Sequence, residues 1–146
     1  MHDEQYPAVK GKPSGFRSHV GYEIVEWHDG HAEIGLNLGP EHGNSNGLLH
    51  GGVYMTIMDA AMGHATTWCP VKENRRIVVT ITLTTSFLAP AQGARIRAIA
   101  RLIKIENRIG HCRGEIVDEN GTLLVVAQGS FRYFPGSERL EGVPRS

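Results

Sequence analysis

Residues 44–63 read NSNGLLHGGVYMTIMDAAMG and decide the fold, because they join a glycine-rich loop to a long apolar segment. From Gly52 to Thr66, only Asp59 and His64 depart from small, apolar or weakly polar side chains. A helix that is apolar nearly all round is normally buried on most of its circumference. The stretch therefore predicts a central core helix with Asp59 about halfway along it.

Asp59 is the first candidate for chemistry. A carboxylate on a buried helix carries a heavy desolvation cost unless something compensates, and burial makes it a stronger base that can act near neutral pH. A buried ion pair or a bond to backbone would also account for an acid at this position.

The loop before the helix offers a partner for negative charge. Gly47, Gly51 and Gly52 leave the backbone free to approach a ligand, and the first turn of a helix presents N–H groups with a partial positive charge. Such a helix start can act as an oxyanion hole. An oxyanion hole and a candidate base on one short segment indicate acyl transfer or hydrolysis.

The spacing of five elements resembles the signature of hotdog-fold acyl-CoA thioesterases of the phenylacetate-pathway (PaaI) type. These elements are Asn44, His50, the Gly51-Gly52 pair, Asp59 and Gly63. The resemblance extends from about residue 16 to residue 134. It implies hydrolysis of a small aromatic or short- to medium-chain acyl-CoA, with no cofactor beyond the coenzyme A that the substrate carries. It also implies a homodimer that joins two sheets edge to edge and shares its active sites, often paired again into a tetramer.

The resemblance also implies roles for individual residues. Gly51 would offer its backbone N–H to the thioester carbonyl oxygen, and His50 would orient the loop by hydrogen bonding. Asn44 would hold the attacking water or the substrate, unless it only satisfies nearby backbone. Asp59 would act as general base or as nucleophile, and both routes stay open. Thr80 matches a position where related enzymes carry Ser or Thr near that carboxylate, although it could be one more sheet threonine.

A second set of residues is implied for binding the substrate and its coenzyme. Related thioesterases place a basic, glycine-containing turn against the nucleotide phosphates, and Arg108, Gly110 and His111 form such a turn here. Arginine suits phosphate because its guanidinium forms paired, charge-assisted hydrogen bonds. Gly52 is assigned to substrate binding at the helix start. An ordinary solvated turn would explain the segment around Arg108 equally well.

The rest of the chain predicts an antiparallel sheet. A strand-like stretch from 16 to 27 reaches the turn Asp29-Gly30, and Ala32, Ile34, Leu36 and Leu38 then alternate with other residues in a second strand. Further strands are predicted at 79–87, 94–105, 109–117 and 123–134. The short connections permit only antiparallel pairing. The predicted class is α+β, with one antiparallel sheet of about six strands wrapped around a long central helix, as in the hotdog fold.

Length and composition bound the remaining possibilities. The 146 residues predict one domain at 16–135, with a flexible lead-in at 1–15 and a flexible tail at 136–146. Lys plus Arg and Asp plus Glu number 15 each, so neither nucleic acid nor an anionic membrane is an expected partner. The two separate cysteines, and the absence of a signal peptide or membrane-length apolar run, predict a cytoplasmic location.

The patterns of rival functions are either absent or in the wrong structural context. The eight histidines are scattered without His-x-x-x-His spacing, so no metal site is expected. Residues 43–47 read GNSNG and match Gly-x-Ser-x-Gly, but they lie in the loop before the helix and not on the sharp strand-to-helix turn that a serine hydrolase needs. A hotdog-fold acyl-thioester hydratase or dehydratase is an alternative, but its Asp-x-Asn-Pro-x-His pattern is missing. The alternative from another class is a non-catalytic acyl-CoA-binding sensor that keeps the fold.

Overall fold

The computed structural model describes residues 15–146, so the predicted lead-in lies outside this range except for its last residue. Within that range the chain forms the following elements: α1 (Gly15–Val20), β1 (Glu23–His28), β2 (His31–Asn37), a 3-10 helix (Pro40–His42), α2 (Gly51–Thr67), β3 (Asn74–Arg75), β4 (Val78–Phe87), β5 (Arg95–Glu106), β6 (Ile109–Asp118), β7 (Leu123–Tyr133) and β8 (Val143–Pro144). None of the helices in this part of the chain is long and apolar enough to cross a bilayer.

α2 is the central helix, and its position agrees with the prediction. It begins at Gly51, where the His50 side chain accepts a hydrogen bond from the Gly52 N–H, and it ends at Thr67, shortly before Pro70. Proline cannot continue a helix, because it lacks the N–H and its ring clashes with the preceding turn. One side of α2 is buried: Tyr54, Ile57, Met58, Ala61, Met62, Ala65 and Thr66.

The opposite side of α2 is not covered by the sheet. Met55, Asp59 and Gly63 are only half-buried there. The expectation of burial around most of the helix is therefore wrong for a single chain, because the sheet packs against one side of the helix only. The remaining side carries small and apolar residues that face an open cleft.

Six strands form one sheet in the order β1-β2-β5-β6-β7-β4, and every neighbouring pair is antiparallel. α2 packs across its concave face. Two glycines allow this close approach, since an added Cβ would lie 2.5 Å from Met58 Sδ at Gly114 and 2.8 Å from Met62 Sδ at Gly129. The predicted α+β class, with about six antiparallel strands around a long helix, is confirmed.

The first part of the predicted N-terminal strand is wrong. The chain from Gly15 to Val20 is α1, a short helix without buried residues, and β1 begins only at Glu23. Gly21 ends the helix with φ at 89° and donates its N–H to the Arg17 carbonyl, as a glycine after a helix commonly does. The predicted hairpin at Asp29-Gly30 is confirmed, because it joins β1 to β2.

The segment after residue 135 is attached to the body of the protein, although the sequence predicts a flexible tail. β8 pairs with β3 as a separate two-stranded sheet. The buried Arg76 donates to the carbonyls of Trp68, Ser137 and Glu138. These hydrogen bonds to backbone leave no periodic signal in the sequence of the tail.

Candidate active site

Asp59 lies in the wall of an open cleft of about 610 Å³ on the half-exposed side of α2. Its Oδ1 accepts a hydrogen bond of 2.7 Å from Thr80 Oγ1 on β4. Among residues 15–146, Oδ2 has no hydrogen-bond partner. The expected proximity of Thr80 to this carboxylate is present, and its part in catalysis stays a prediction.

A β-bulge brings Thr80 to Asp59. The register between β4 and β7 shifts between Thr80 and Thr82. Regular alternation would place Thr80 on the face of Thr82, opposite Leu83, but the extra residue lets Thr80 and Leu83 both line the cleft. Thr82 instead hydrogen-bonds with Ser130. The strand predicted at 79–87 is present, but the alternation of threonine with apolar residues in its sequence does not mark the bulge.

Tyr22 is a residue of the Asp59 cleft that the sequence did not single out. Burial raises the pKa of its phenol above the usual value; the Arg17 charge opposes this rise, and the Asp59 carboxylate adds to it. The side chain is therefore a neutral hydrogen-bonding group near the carboxylate at ordinary pH. It stands just before β1 in an ordinary aromatic and apolar stretch, which carries no signal for a site.

The loop before α2 is held by its own side chains. Asn44 Oδ1 accepts hydrogen bonds from the N–H groups of Asn46 and Leu48, at 2.9 and 3.1 Å. His50 Nδ1 accepts from Gly52 at 2.8 Å and caps the helix. This agrees with the expected orienting role of His50. The oxygen of Asn44 is engaged with the loop, so any contact with water or substrate would come from its amide nitrogen.

Gly51 is the first residue of α2, and its N–H has no acceptor within the helix. No other acceptor for it is present among the described residues. The position where a Gly51 Cβ would stand is 3.9 Å from the Phe87 ring, so the backbone here lies close to the end of β4. The loop and the end of β4 enclose a second cavity of about 800 Å³, lined by Asn44, Tyr54 and Phe87 among others.

The two cavities are separate in one chain. Asn44 lines the cavity at the start of α2, Asp59 lines the cleft at its middle, and no residue lines both. Gly51 and Asp59 are eight residues apart on one helix, which is roughly 12 Å along the axis. The structure therefore brings Asp59 and Thr80 together but does not bring them to Asn44 or to the Gly51 N–H.

The turn assigned to coenzyme binding joins β5 to β6. Asn107 and Arg108 have φ of 52° and 61°, which is typical of a tight type I′ turn. Gly110 is buried, and a Cβ there would lie 3.1 Å from Tyr133 and 3.3 Å from Thr66 at the end of α2. Close packing therefore explains this glycine. Arg108 is half-buried and His111 is exposed, and their contact with coenzyme A stays a prediction.

The outer strand β4 exposes apolar side chains to solvent. Val79, Ile81 and Phe87 are 47%, 50% and 53% exposed. β4 pairs only with β7, so its other edge has no strand beside it in the described chain. An exposed, apolar edge strand is a surface that another chain can cover.

Sequence comparison decides the family. A family model described as thioesterase superfamily matches residues 46–125, which is more than half of the chain. A protein of Halobacterium salinarum that carries a provisional esterase name is 30% identical over 129 residues, covering 82% of this chain and 85% of the relative. The chain belongs to the thioesterase superfamily. Membership of this superfamily indicates a hydrolase.

Solved structures of other proteins share the fold of this thioesterase-superfamily chain. A conserved protein of Pseudomonas aeruginosa superposes with a TM-score of 0.76 at 25% identity, covering 84% of this chain and 95% of that one. The PaaI protein from the phenylacetic acid degradation operon of Escherichia coli superposes with a TM-score of 0.74 at 19% identity, covering 83% and 85%. At such low identity the second match shows the shared hotdog fold alone.

Proposed function

We propose that this protein is an acyl-CoA thioesterase that releases a free acid and coenzyme A. The observation that carries the proposal is the pair Asp59 and Thr80 in an open cleft, joined by a hydrogen bond of 2.7 Å. The superfamily supplies the class of reaction, and the pair supplies a base or nucleophile for it. A carboxylate that is oriented by a hydroxyl and open to solvent suits the activation of water.

The proposed reaction balances without a cofactor. Asp59 accepts a proton from water as the water oxygen bonds to the thioester carbonyl carbon, and the carbonyl oxygen becomes an oxyanion. The N–H of Gly51 at the start of a helix stabilises that oxyanion. The carbon–sulfur bond then breaks, and coenzyme A leaves as its thiol after taking the proton. In the alternative route, Asp59 attacks the carbonyl carbon directly and forms a mixed anhydride, which water then cleaves. The same residues take part in both routes.

The proposed acyl group is small and aromatic, or of short to medium length. The resemblance to PaaI-type enzymes supports this range, and open cavities of about 610 and 800 Å³ have room for such a group. Arg108 and His111, with Gly52 at the helix start, are the proposed contacts for coenzyme A. Asn44 and His50 are the proposed positioning residues of the loop.

Thiol release from a panel of phenylacetyl-, benzoyl- and medium-chain acyl-CoA esters tests this function. We expect turnover of at least one class of ester, followed with a chromogenic disulfide. Asp59→Asn should lower kcat by about 10²–10⁴ and leave acyl-CoA binding within a few-fold, since it removes the base and keeps the shape. Near wild-type turnover in this variant would exclude Asp59 from the mechanism.

The control is the wild-type protein in a direct binding measurement with the same esters. Binding without turnover of any ester would favour the acyl-CoA sensor instead. Hydration of an enoyl ester without thiol release would favour the hydratase alternative. Thermal unfolding of Asp59→Asn shows whether a loss of turnover comes from misfolding.

We also propose that two subunits share each active site, in a homodimer that pairs again into a tetramer. Two observations support this. The apolar edge of β4 and the half-exposed side of α2 are both open in one chain. Gly51 lies roughly 12 Å along the helix from Asp59, so one thioester carbonyl cannot easily reach both. Two copies of α2 packed antiparallel about a two-fold axis would bring the start of one near the middle of the other.

A mixing experiment distinguishes a shared site from one within a single chain. Inactive Asn44→Ala and Asp59→Asn proteins are unfolded together, refolded and assayed. In a shared site, each heterodimer has one site with both residues intact, so a fraction of wild-type activity returns. Inactivity of the mixture, with heterodimers shown by mass, would contradict sharing. As the reverse control, a double variant refolded with wild-type protein should give inactive heterodimers only if sites are shared.

A further inference from the structure

The β1–β2 hairpin carries a cluster that is separate from the candidate active site. Residues 26–33 read EWHDGHAE, a mirrored order about the turn. Glu26 stands opposite Glu33, and His28 stands opposite His31, while the residues between them in each strand are buried on the other face. The four side chains therefore share the outer face of the hairpin. The description of the histidines as scattered is wrong for this pair.

The ligand-type atoms of this hairpin cluster lie close to one another. His28 Nε2 lies 3.1 Å from Glu26 Oε1. His31 Nε2 lies 3.9 Å from Glu26 Oε2 and 3.5 Å from Glu33 Oε1. The two imidazole rings stack with centroids 4.6 Å apart and planes 7° apart. One such atom each from Glu26, His28 and His31 lies within 4.8 Å of the other two.

We propose that the hairpin cluster binds a zinc ion, or a chemically similar divalent transition metal, through Glu26, His28 and His31. Zinc bonds to His nitrogen and carboxylate oxygen at about 2.0–2.2 Å, so ligand atoms of a tetrahedral site stand roughly 3.4 Å apart. The separations measured here bracket that value. Side-chain rotations that unstack the two imidazole rings would let the three ligand atoms face one ion.

Glu33 completes the surroundings of the ion. Its Oε2 lies 3.5 Å from Arg97 Nε, which leaves Oε1 toward His31. Because Oε1 lies near Nε2 of His31, the nitrogen proposed to bind the ion, Glu33 is placed to bind the ion as a fourth ligand. His31 and Glu33 side chains are each only 14% exposed, whereas Glu26 and His28 are open to solvent. The ion would thus have a sheltered inner side and an open entry.

Charge favours a cation over an anion at this hairpin. Neutral imidazoles and carboxylates are ligands for a divalent ion, and two carboxylates repel a phosphate or sulfate. The hydrogen bond between Glu26 and His28 joins two of the proposed ligand atoms, so an entering ion would replace this hydrogen bond. Arg97 offsets one carboxylate, and Arg101 stands opposite His31 on β5 and lines the same cleft, so we expect moderate affinity.

The bound ion would clamp the edge strand β1 to β2. On the inner face of the same hairpin, Trp27 Nε1 donates to the His64 carbonyl of α2 at 2.7 Å. The proposed ion therefore stabilises the end of the sheet at which this strand meets the helix. The site is independent of the Asp59–Thr80 pair, so the thioesterase proposal and the metal proposal can fail separately.

The test uses the full chain, freed of metal with a chelator and titrated with Zn²⁺ in a calorimeter. We expect about one ion per chain and an unfolding temperature raised by roughly 5–10 °C at a hundredfold excess over Kd. Co²⁺ should give visible absorption bands typical of a tetrahedral N/O site, and Zn²⁺ should remove them. His28→Ala and His31→Ala should each weaken binding at least about a hundredfold, and Glu33→Gln roughly 10–100-fold.

The controls are His111→Ala, an exposed strand histidine outside the cluster, and His2→Ala near the chain start. Both should bind Zn²⁺ as the wild type does. Unchanged affinity in His28→Ala and His31→Ala would overturn the proposal. So would loss of binding in either control, or no binding by the wild type below millimolar Zn²⁺.

Discussion

Replacing Thr80 by valine removes the hydroxyl that holds Asp59 and keeps the shape of the side chain. Thr80 Oγ1 donates to Asp59 Oδ1 at 2.7 Å. Without that donor, the carboxylate stays in the cleft but loses its orientation. The variant therefore tests how much the orientation of the Asp59 carboxylate contributes, while the carboxylate itself remains.

The expected size of the effect follows from the exposure of the pair. A hydrogen bond to a charged group contributes about 1.5–3 kcal/mol. Thr80 is exposed and Asp59 is half-buried in the single chain, so the lower value applies. About 1.4 kcal/mol corresponds to tenfold in rate, and Thr80→Val should therefore lower kcat about tenfold. KM should change little, because the hydroxyl orients the base rather than the substrate.

Steady-state thiol release measures this effect, with two matched variants. Thr80→Ser keeps the donor and should recover most of kcat. Thr82→Val removes a hydroxyl from the same strand that contacts Ser130 instead of Asp59, and it should leave kcat unchanged. Equal losses in Thr80→Val and Thr82→Val, or no recovery in Thr80→Ser, would refute an orienting role and would indicate a general effect on β4.

Two further predictions concern the coenzyme and stability. Arg108→Ala should raise KM for coenzyme A thioesters more than it lowers kcat, and should not affect short thioesters without the nucleotide. Burial acts to raise the pKa of Asp118, but hydrogen bonds, chiefly from the N–H groups of Thr122, Gln92 and Asn120, outweigh it and hold the pKa below its ordinary value. The stabilisation from these hydrogen bonds is then fully present above the unfolded-state pKa of about 3.9. It is lost as the pH falls through the lower pKa that Asp118 has in the folded state. In denaturant unfolding, Asp118→Asn should be less stable than wild type near neutral pH, with the difference closing in acid.

The helix and the hairpins could be predicted because their signals are local. Pro70 stops α2 close to where the structure ends it, and Asp29-Gly30 turns the chain between β1 and β2. The extent of burial of α2 could not be predicted, because apolar composition does not tell which neighbour covers each side. The half-exposed Met55 and Gly63 are an example.

The candidate site was predictable in its residues more than in its geometry. A shared motif indicated Asp59 and Thr80, but their contact depends on a bulge that leaves no local signal. Tyr22 enters the cleft through tertiary packing alone. His28 and His31 were missed for another reason. Helical His-x-x-x-His spacing does not describe a hairpin, in which residues on either side of a tight turn stand opposite each other.

Arg76 lines the cleft that contains Asp59, and its guanidinium is held by the backbone of the segment after residue 135. A carbonyl oxygen is the same in every residue type, so this contact constrains the path of the chain and hardly its side chains. Substitutions at exposed Arg139 or Leu140 should therefore be tolerated. Removing the segment would leave a buried cation without two acceptors beside the cleft. Distant homologues could accordingly differ freely in sequence here while keeping the same route of the main chain, and comparisons based on sequence alone would undervalue the segment.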